Sequence, residues 1–204
     1  AHVVGLNAKH QTNPVHSLFF NERIELENRV CAVPDDKTGV NVRQYIDITT
    51  SSCAEDAVDA AIYHQPTIIT AKPETLYALS QGERHAKAEK LSTQFIISSG
   101  SELHRYQREQ IMDYWNIPVI NVYGLSECGV LASECNEMDG LHLFENESIF
   151  EILLDSGEMV STGVGELVVS NFRNIAMPLL RFATGDRVEV INTACSCGKE
   201  GRRM

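Results

Sequence analysis

Basic residues are scarce in this chain of 204: 17 Lys and Arg stand against 28 Asp and Glu, a formal net charge of −11. Nucleic acid and anionic membrane surfaces reward clustered cations, so neither is expected as a partner; a small anion held by a few local donors remains compatible. No apolar run approaches the roughly 20 residues that span a bilayer. The first residues carry neither the basic region nor the apolar core of a secretory signal. Six cysteines are too few and too unevenly spaced for a secreted disulfide framework. The expectation is therefore a cytoplasmic protein with reduced thiols, in which a close Cys pair reads as a metal site rather than a bridge. There is no repeat at a fixed period and no low-complexity tract.

What is present is globular composition, 43% hydrophobic and 22% charged, in enough chain for one ordinary domain or two small subdomains. Residues 1–50 are mixed, with polar loops at Asn7–Asn13 and Pro34–Thr38 and a short alternating strand at Arg43–Thr49. Ser52 and Glu55 form a capping box that opens a helix closed by Pro66. Thr67–Thr70 is a β-branched run and reads as a buried strand. A helix starts at Pro73 and stops at Gly82. Phe95–Ser98 is the next strand. Leu103 to Trp115 is a helix whose stripe is Leu103, Tyr106, Gln107, Gln110, Ile111 and Tyr114. Its charged residues, Glu102, Arg105, Arg108, Glu109 and Asp113, mix signs as a solvated face does. Pro118–Val122 is a third strand. Strands alternating with helices predict a parallel α/β sheet.

After about residue 130 the pattern changes. Ser148–Leu154, Glu166–Asn171 and Arg187–Ile191 are strand-like with no strong helix between them. The expected architecture is a partial α/β layered subdomain over residues 1–130, followed by a small β-rich subdomain over residues 131–204.

Two motifs carry the chemistry. Val122-Tyr123-Gly124-Leu125-Ser126-Glu127 follows a predicted strand, and Arg181-Phe182-Ala183-Thr184-Gly185-Asp186 precedes another. Singly, each has an ordinary reading: Tyr123 as a strand-end core residue, Ser126 and Glu127 as a helix cap, Asp186 as a hairpin turn residue. In this order and about sixty residues apart they resemble two core motifs of the adenylate-forming superfamily. Glu134-Cys135, Gly140-Leu141-His142, Ala176–Arg181 and Cys195-Ser196-Cys197-Gly198 resemble its phenylacetate–CoA ligase branch. The resemblance is firm from about residue 92 to 204 and weaker from about 40 to 90.

The resemblance implies an enzyme that activates a carboxylic acid with ATP as an acyl-adenylate and passes the acyl group to coenzyme A. It implies that Tyr123 packs on adenine, that Ser126 reaches the α-phosphate, that Glu127 holds Mg²⁺ and that Asp186 accepts both ribose hydroxyls. Gly124 would let the backbone turn toward the nucleotide. The turn Ser98-Ser99-Gly100-Ser101-Glu102-Leu103 departs from the commoner family pattern, and there the backbone of Gly100 and Ser101 is expected against adenine. In the branch it resembles the acid is often aromatic, such as phenylacetate; the sequence does not identify it. A carrier-protein thiol as acceptor, a short non-catalytic relative that binds nucleotide or a partner, and a structural domain without a ligand stay open, as does the oligomeric state.

Cys135, His142, Cys195 and Cys197 offer three thiolates and one imidazole, a closed tetrahedral zinc set. Zinc-bearing relatives carry cysteine and histidine at matching positions. Free thiols with a surface histidine are the alternative. Cys128 reads as a packed small side chain. The family's Ser/Thr/Gly-rich phosphate loop and its mobile C-terminal domain find no counterpart here, so the expectation is a core fragment, inactive as a ligase by itself.

Overall fold

The structure is a computed structural model. It describes the backbone of residues 2–8, 28–33 and 41–50, and backbone with side chains for 61–63, 65–81, 91–173 and 175–204. The chain falls into two compact units, Ala1–Val119 and Ile120–Met204.

In the first unit, β1 (His2–Ala8), β2 (Asn28–Val33), β3 (Asn41–Thr50), β4 (Ile68–Ala71) and β5 (Phe95–Ser99) build a mainly parallel sheet. β1 lies between β3 and β4, parallel to both. β4 and β5 are also parallel, and β2 pairs antiparallel to β3. β3, β4 and β5 fall on the three strands expected here. β1 takes in Asn7, which the sequence assigned to a polar loop. A parallel strand flanked on both sides need not alternate polar and apolar residues, so periodicity gave no signal. The helix expected from Ser52 lies outside the described residues except for a helical stretch at 61–63.

Helix Pro73–Leu79 starts at Pro73, which loses no hydrogen bond at a first-turn position. It buries Leu76 and Leu79. Gly82, its expected stop, lies outside the described residues; Ser80 caps the helix instead. Helix Arg105–Trp115 opens at His104, whose N–H donates to Gln107 Oε1 at 3.0 Å. Leu103, Gln107, Ile111 and Tyr114 face inward as the stripe predicted. Tyr106 does not: it is 56% exposed, edge-on to Tyr77 and stacked with His104. Trp115 is instead fully buried, its Nε1–H donating to Ser80 Oγ at 2.9 Å. Gln110 Nε2 donates to the Ser80 carbonyl at 2.7 Å. One residue thus ties the two helices over the Ile69 and Ile96 core.

The second unit is β throughout its described residues. β6 (Val119–Leu125), β7 (Gly129–Glu134) and β8 (Leu141–Leu143) form an antiparallel meander. β9 (Ser148–Leu153), β10 (Met159–Val160), β11 (Gly163–Asn171) and β12 (Leu179–Val190) form a separate antiparallel sheet in the order β10-β9-β11-β12. Leu131, Phe150, Ile152, Leu167 and Val169 fill its core. β12 runs much further than the expected Arg187–Ile191. The Arg181–Asp186 motif lies within that strand rather than ahead of it. Its Gly185 and Arg181 have positive φ, and the pairing with β11 shifts register twice, features that broke the period-two pattern. No described helix is long and apolar enough to cross a membrane.

Candidate active site and candidate metal centre

The first motif occupies the end of β6 and the turn into β7. Ser126 and Glu127 stand exposed at the turn, with the Cys128 N–H donating to the Leu125 carbonyl at 3.2 Å. The turn joins two strands, so the helix-cap reading of Ser126 and Glu127 does not apply. Cys128 folds under the turn and is buried; burial, then the charge of Glu127, pushes its thiol above the usual range. Packing of the two strands also requires Gly124. Its φ is not in the left-handed region, but a β-carbon there would stand 2.6 Å from the Gly129 carbonyl oxygen, where β6 bulges against β7.

Tyr123 is half-buried against the β core, and its hydroxyl donates to Asp186 Oδ2 at 2.5 Å. Burial first, then the Asp186 carboxylate that accepts its proton, holds the phenol well above its ordinary pKa. Asp186 is itself held in place. Its N–H donates to Thr184 Oγ1 at 3.1 Å, and that hydroxyl donates to the Leu167 carbonyl at 2.9 Å. The Gly185 N–H donates to Glu166 Oε1 at 3.0 Å. The structure therefore brings Tyr123 and Asp186 into contact, with Ser126 and Glu127 three and four residues beyond the ring. Thr184 and Glu166 were not singled out from sequence; the contact of Thr184 with the Asp186 N–H, two residues on, is the local turn pattern that could have flagged it. Gly100 and Ser101 lie in the first unit, exposed in the turn after β5. Gly100 has φ +92°, and the Ser101 hydroxyl donates to Glu74 Oε2 at 2.8 Å.

Cys135 follows β7, His142 sits within β8, and Cys195 and Cys197 occupy the turn after β12. Their ligand atoms lie within 4.8 Å of one another. Cys135 Sγ and Cys195 Sγ are 3.7 Å apart, too far for a disulfide, and Cys197 Sγ is 3.5 Å from His142 Nε2. Tetrahedral zinc, with bonds of about 2.3 Å to sulfur and 2.0–2.1 Å to nitrogen, has S···S and S···N edges of about 3.8 and 3.6 Å. The donor set and these two spacings fit that ion. The Lys199 N–H points at Cys197 Sγ at 3.4 Å, and the Gly198 N–H bonds the Cys195 carbonyl at 3.0 Å. Ser196 Oγ donates to Glu137 Oε2 at 2.9 Å, tying the Cys135 loop to the Cys195 turn. Burial, then Lys199 and Arg203, lowers the His142 pKa and favours the neutral imidazole that binds metals. The Cys197 N–H is the main cause of a lowered Cys195 thiol.

No protein-family model matches the chain. It is 32% identical over 148 residues to phenylacetate-coenzyme A ligase of Thermus thermophilus, covering 69% of this chain and 33% of that protein. The chain thus spans about a third of the length of that curated relative. The fold matches 2-hydroxyisobutyryl-CoA ligase, solved in an open conformation with 2-HIB-AMP and CoA, at TM-score 0.70 and 15% identity over 79% of this chain and 38% of that one. It also matches a benzoate CoA ligase from Burkholderia xenovorans LB400 at TM-score 0.55 and 15% identity, over 70% of this chain and 32% of that one. With its two motifs in contact and these likenesses in sequence and fold, the chain belongs to the adenylate-forming CoA ligase superfamily.

Proposed function

We propose that the chain contributes the nucleotide-binding core of an ATP-dependent acid–CoA ligase acting on an aryl acid such as phenylacetate. The contact between Tyr123 and Asp186 carries this reading, because it joins two motifs 63 residues apart at one point. In the reaction a carboxylate oxygen attacks the α-phosphorus of ATP and pyrophosphate leaves; the CoA thiol then displaces AMP from the acyl-adenylate. Asp186, fixed through Thr184, accepts the ribose hydroxyls. The Tyr123 ring, held by its own hydrogen bond, offers a face to adenine. Ser126, exposed at the turn, donates to the α-phosphate, where negative charge builds up. Glu127 suits Mg²⁺, a hard ion that takes one or two carboxylates together with substrate phosphates and neutralises their charge.

Cys135, His142, Cys195 and Cys197 would hold a structural zinc. All four positions are filled by protein, so no open site remains for catalysis. CoA is favoured over a carrier-protein thiol by the name of the curated relative. The test is calorimetric titration of the protein with a non-hydrolysable phenylacetyl-adenylate mimic. Asp186→Ala is expected to weaken binding at least tenfold; equal affinity in wild type and variant would overturn the reading. Exchanging the phenylacetyl group for benzoyl or acetyl then ranks the acids.

A further inference from the structure

Arg203 is the most deeply buried cation among the described residues, at 2% exposure. Its backbone lies between His142 and the stretch that leads to Cys195. It exchanges hydrogen bonds with Ile191 at 3.0 and 2.8 Å and bridges to His142. Its side chain reaches the Cys135 loop and the same stretch before Cys195: Nη1 to Asp139 Oδ2 at 2.7 Å and to the Asp139 carbonyl, and Nη2 to Thr193 Oγ1 at 3.1 Å. Asp139 follows Cys135 by four residues, and Thr193 precedes Cys195 by two. Nε is buried with no hydrogen-bond partner among the described residues. Asp139 is 73% exposed, and a solvated carboxylate offsets a buried guanidinium weakly.

We propose that Arg203 is the counter-charge of the metal centre. This rests on the zinc reading: three thiolates and a neutral imidazole around Zn²⁺ leave one net negative charge, which a buried guanidinium bonded to Asp139 and Thr193, in the two loops that carry Cys135 and Cys195, would offset.

The test measures zinc affinity of the full-length protein by competition with a chromophoric chelator, beside the thiolate-to-metal absorption of the cobalt-substituted form. R203M is expected to weaken zinc by about tenfold or more, the range typical of outer-shell partners. R203K, which keeps the charge, should lose less than about threefold. D139N removes the ion pair and leaves the guanidinium, so it should not weaken zinc. If R203M fails to fold, R203K and D139N decide. Unchanged affinity in R203M, or a tenfold loss in D139N, would overturn the inference: the arginine would then be dispensable or merely a brace. A wild-type protein without stoichiometric zinc would instead overturn the metal reading itself.

Discussion

At the scale of single residues, the bond from Tyr123 to Asp186 has a consequence in alkali. The folded phenol titrates above its unfolded value of about 10. Its contribution is therefore fully present below that pH and lost as pH rises past it, because the unfolded chain gives up the proton first. Thermal melts from pH 8 to 11 should show a steeper loss of stability in wild type than in Tyr123→Phe, and parallel curves would contradict the bond. Gly124→Ala tests the other tight point. A β-carbon 2.6 Å from a backbone oxygen forces the strands apart, and overpacking of that kind typically costs about 1–3 kcal/mol, readable as a lower urea midpoint. The contact of Tyr123 and Asp186 was legible because residue types in a fixed order carry a motif over sixty residues. The need for Gly124 was not, since the atom it avoids belongs to Gly129 on the neighbouring strand. Arg203 was equally hidden: nothing in its neighbours in sequence says that it will be buried.

At the scale of elements, periodicity served where one face meets a core and failed where it does not. The stripe of helix Arg105–Trp115 named Gln107, Ile111 and Tyr114 correctly, yet placed Tyr106 inside because an aromatic at helical spacing looks the same whether it meets a core or a surface partner. Trp115, one position past the last residue of the stripe, became the buried anchor because Ser80 supplies an acceptor for its indole. That dependence is testable. Ser80→Ala leaves a buried N–H unpaired and should cost about 1–3 kcal/mol in denaturant unfolding. Substituting Thr, which restores the hydroxyl, should recover part of the loss; a loss identical in both variants would point to packing alone. β12 shows the complementary failure. Positive φ at Arg181 and Gly185 and two register shifts hide a continuous strand behind a sequence that reads as a loop followed by a strand.

At the scale of the whole molecule, the two units carry different reporters, which makes the proposed zinc clip separable from general unfolding. Trp115 is the chain's sole tryptophan and lies in the first unit, while all four candidate metal ligands lie in the second. The second unit has short strands at β8 and β10, and its last residues pair back onto Leu141 and Ile191. A small β unit of this kind gains most from a metal staple. Its ligands come from β8, the loop after β7 and the turn after β12, so removing the ion should loosen the pairings that bring those segments together. Titration with a strong chelator should therefore expose three further thiols, Cys135, Cys195 and Cys197, to a thiol-reactive dye and lower the melting temperature. Under the same mild conditions the fluorescence of Trp115 should hold, because Ser80, Ile111 and the rest of its surroundings belong to the first unit. Dye-reactive thiols that do not increase on chelation would mean that the four side chains converge without a metal. A tryptophan signal that collapses in step with the thiols would mean that the metal holds more than the unit that binds it.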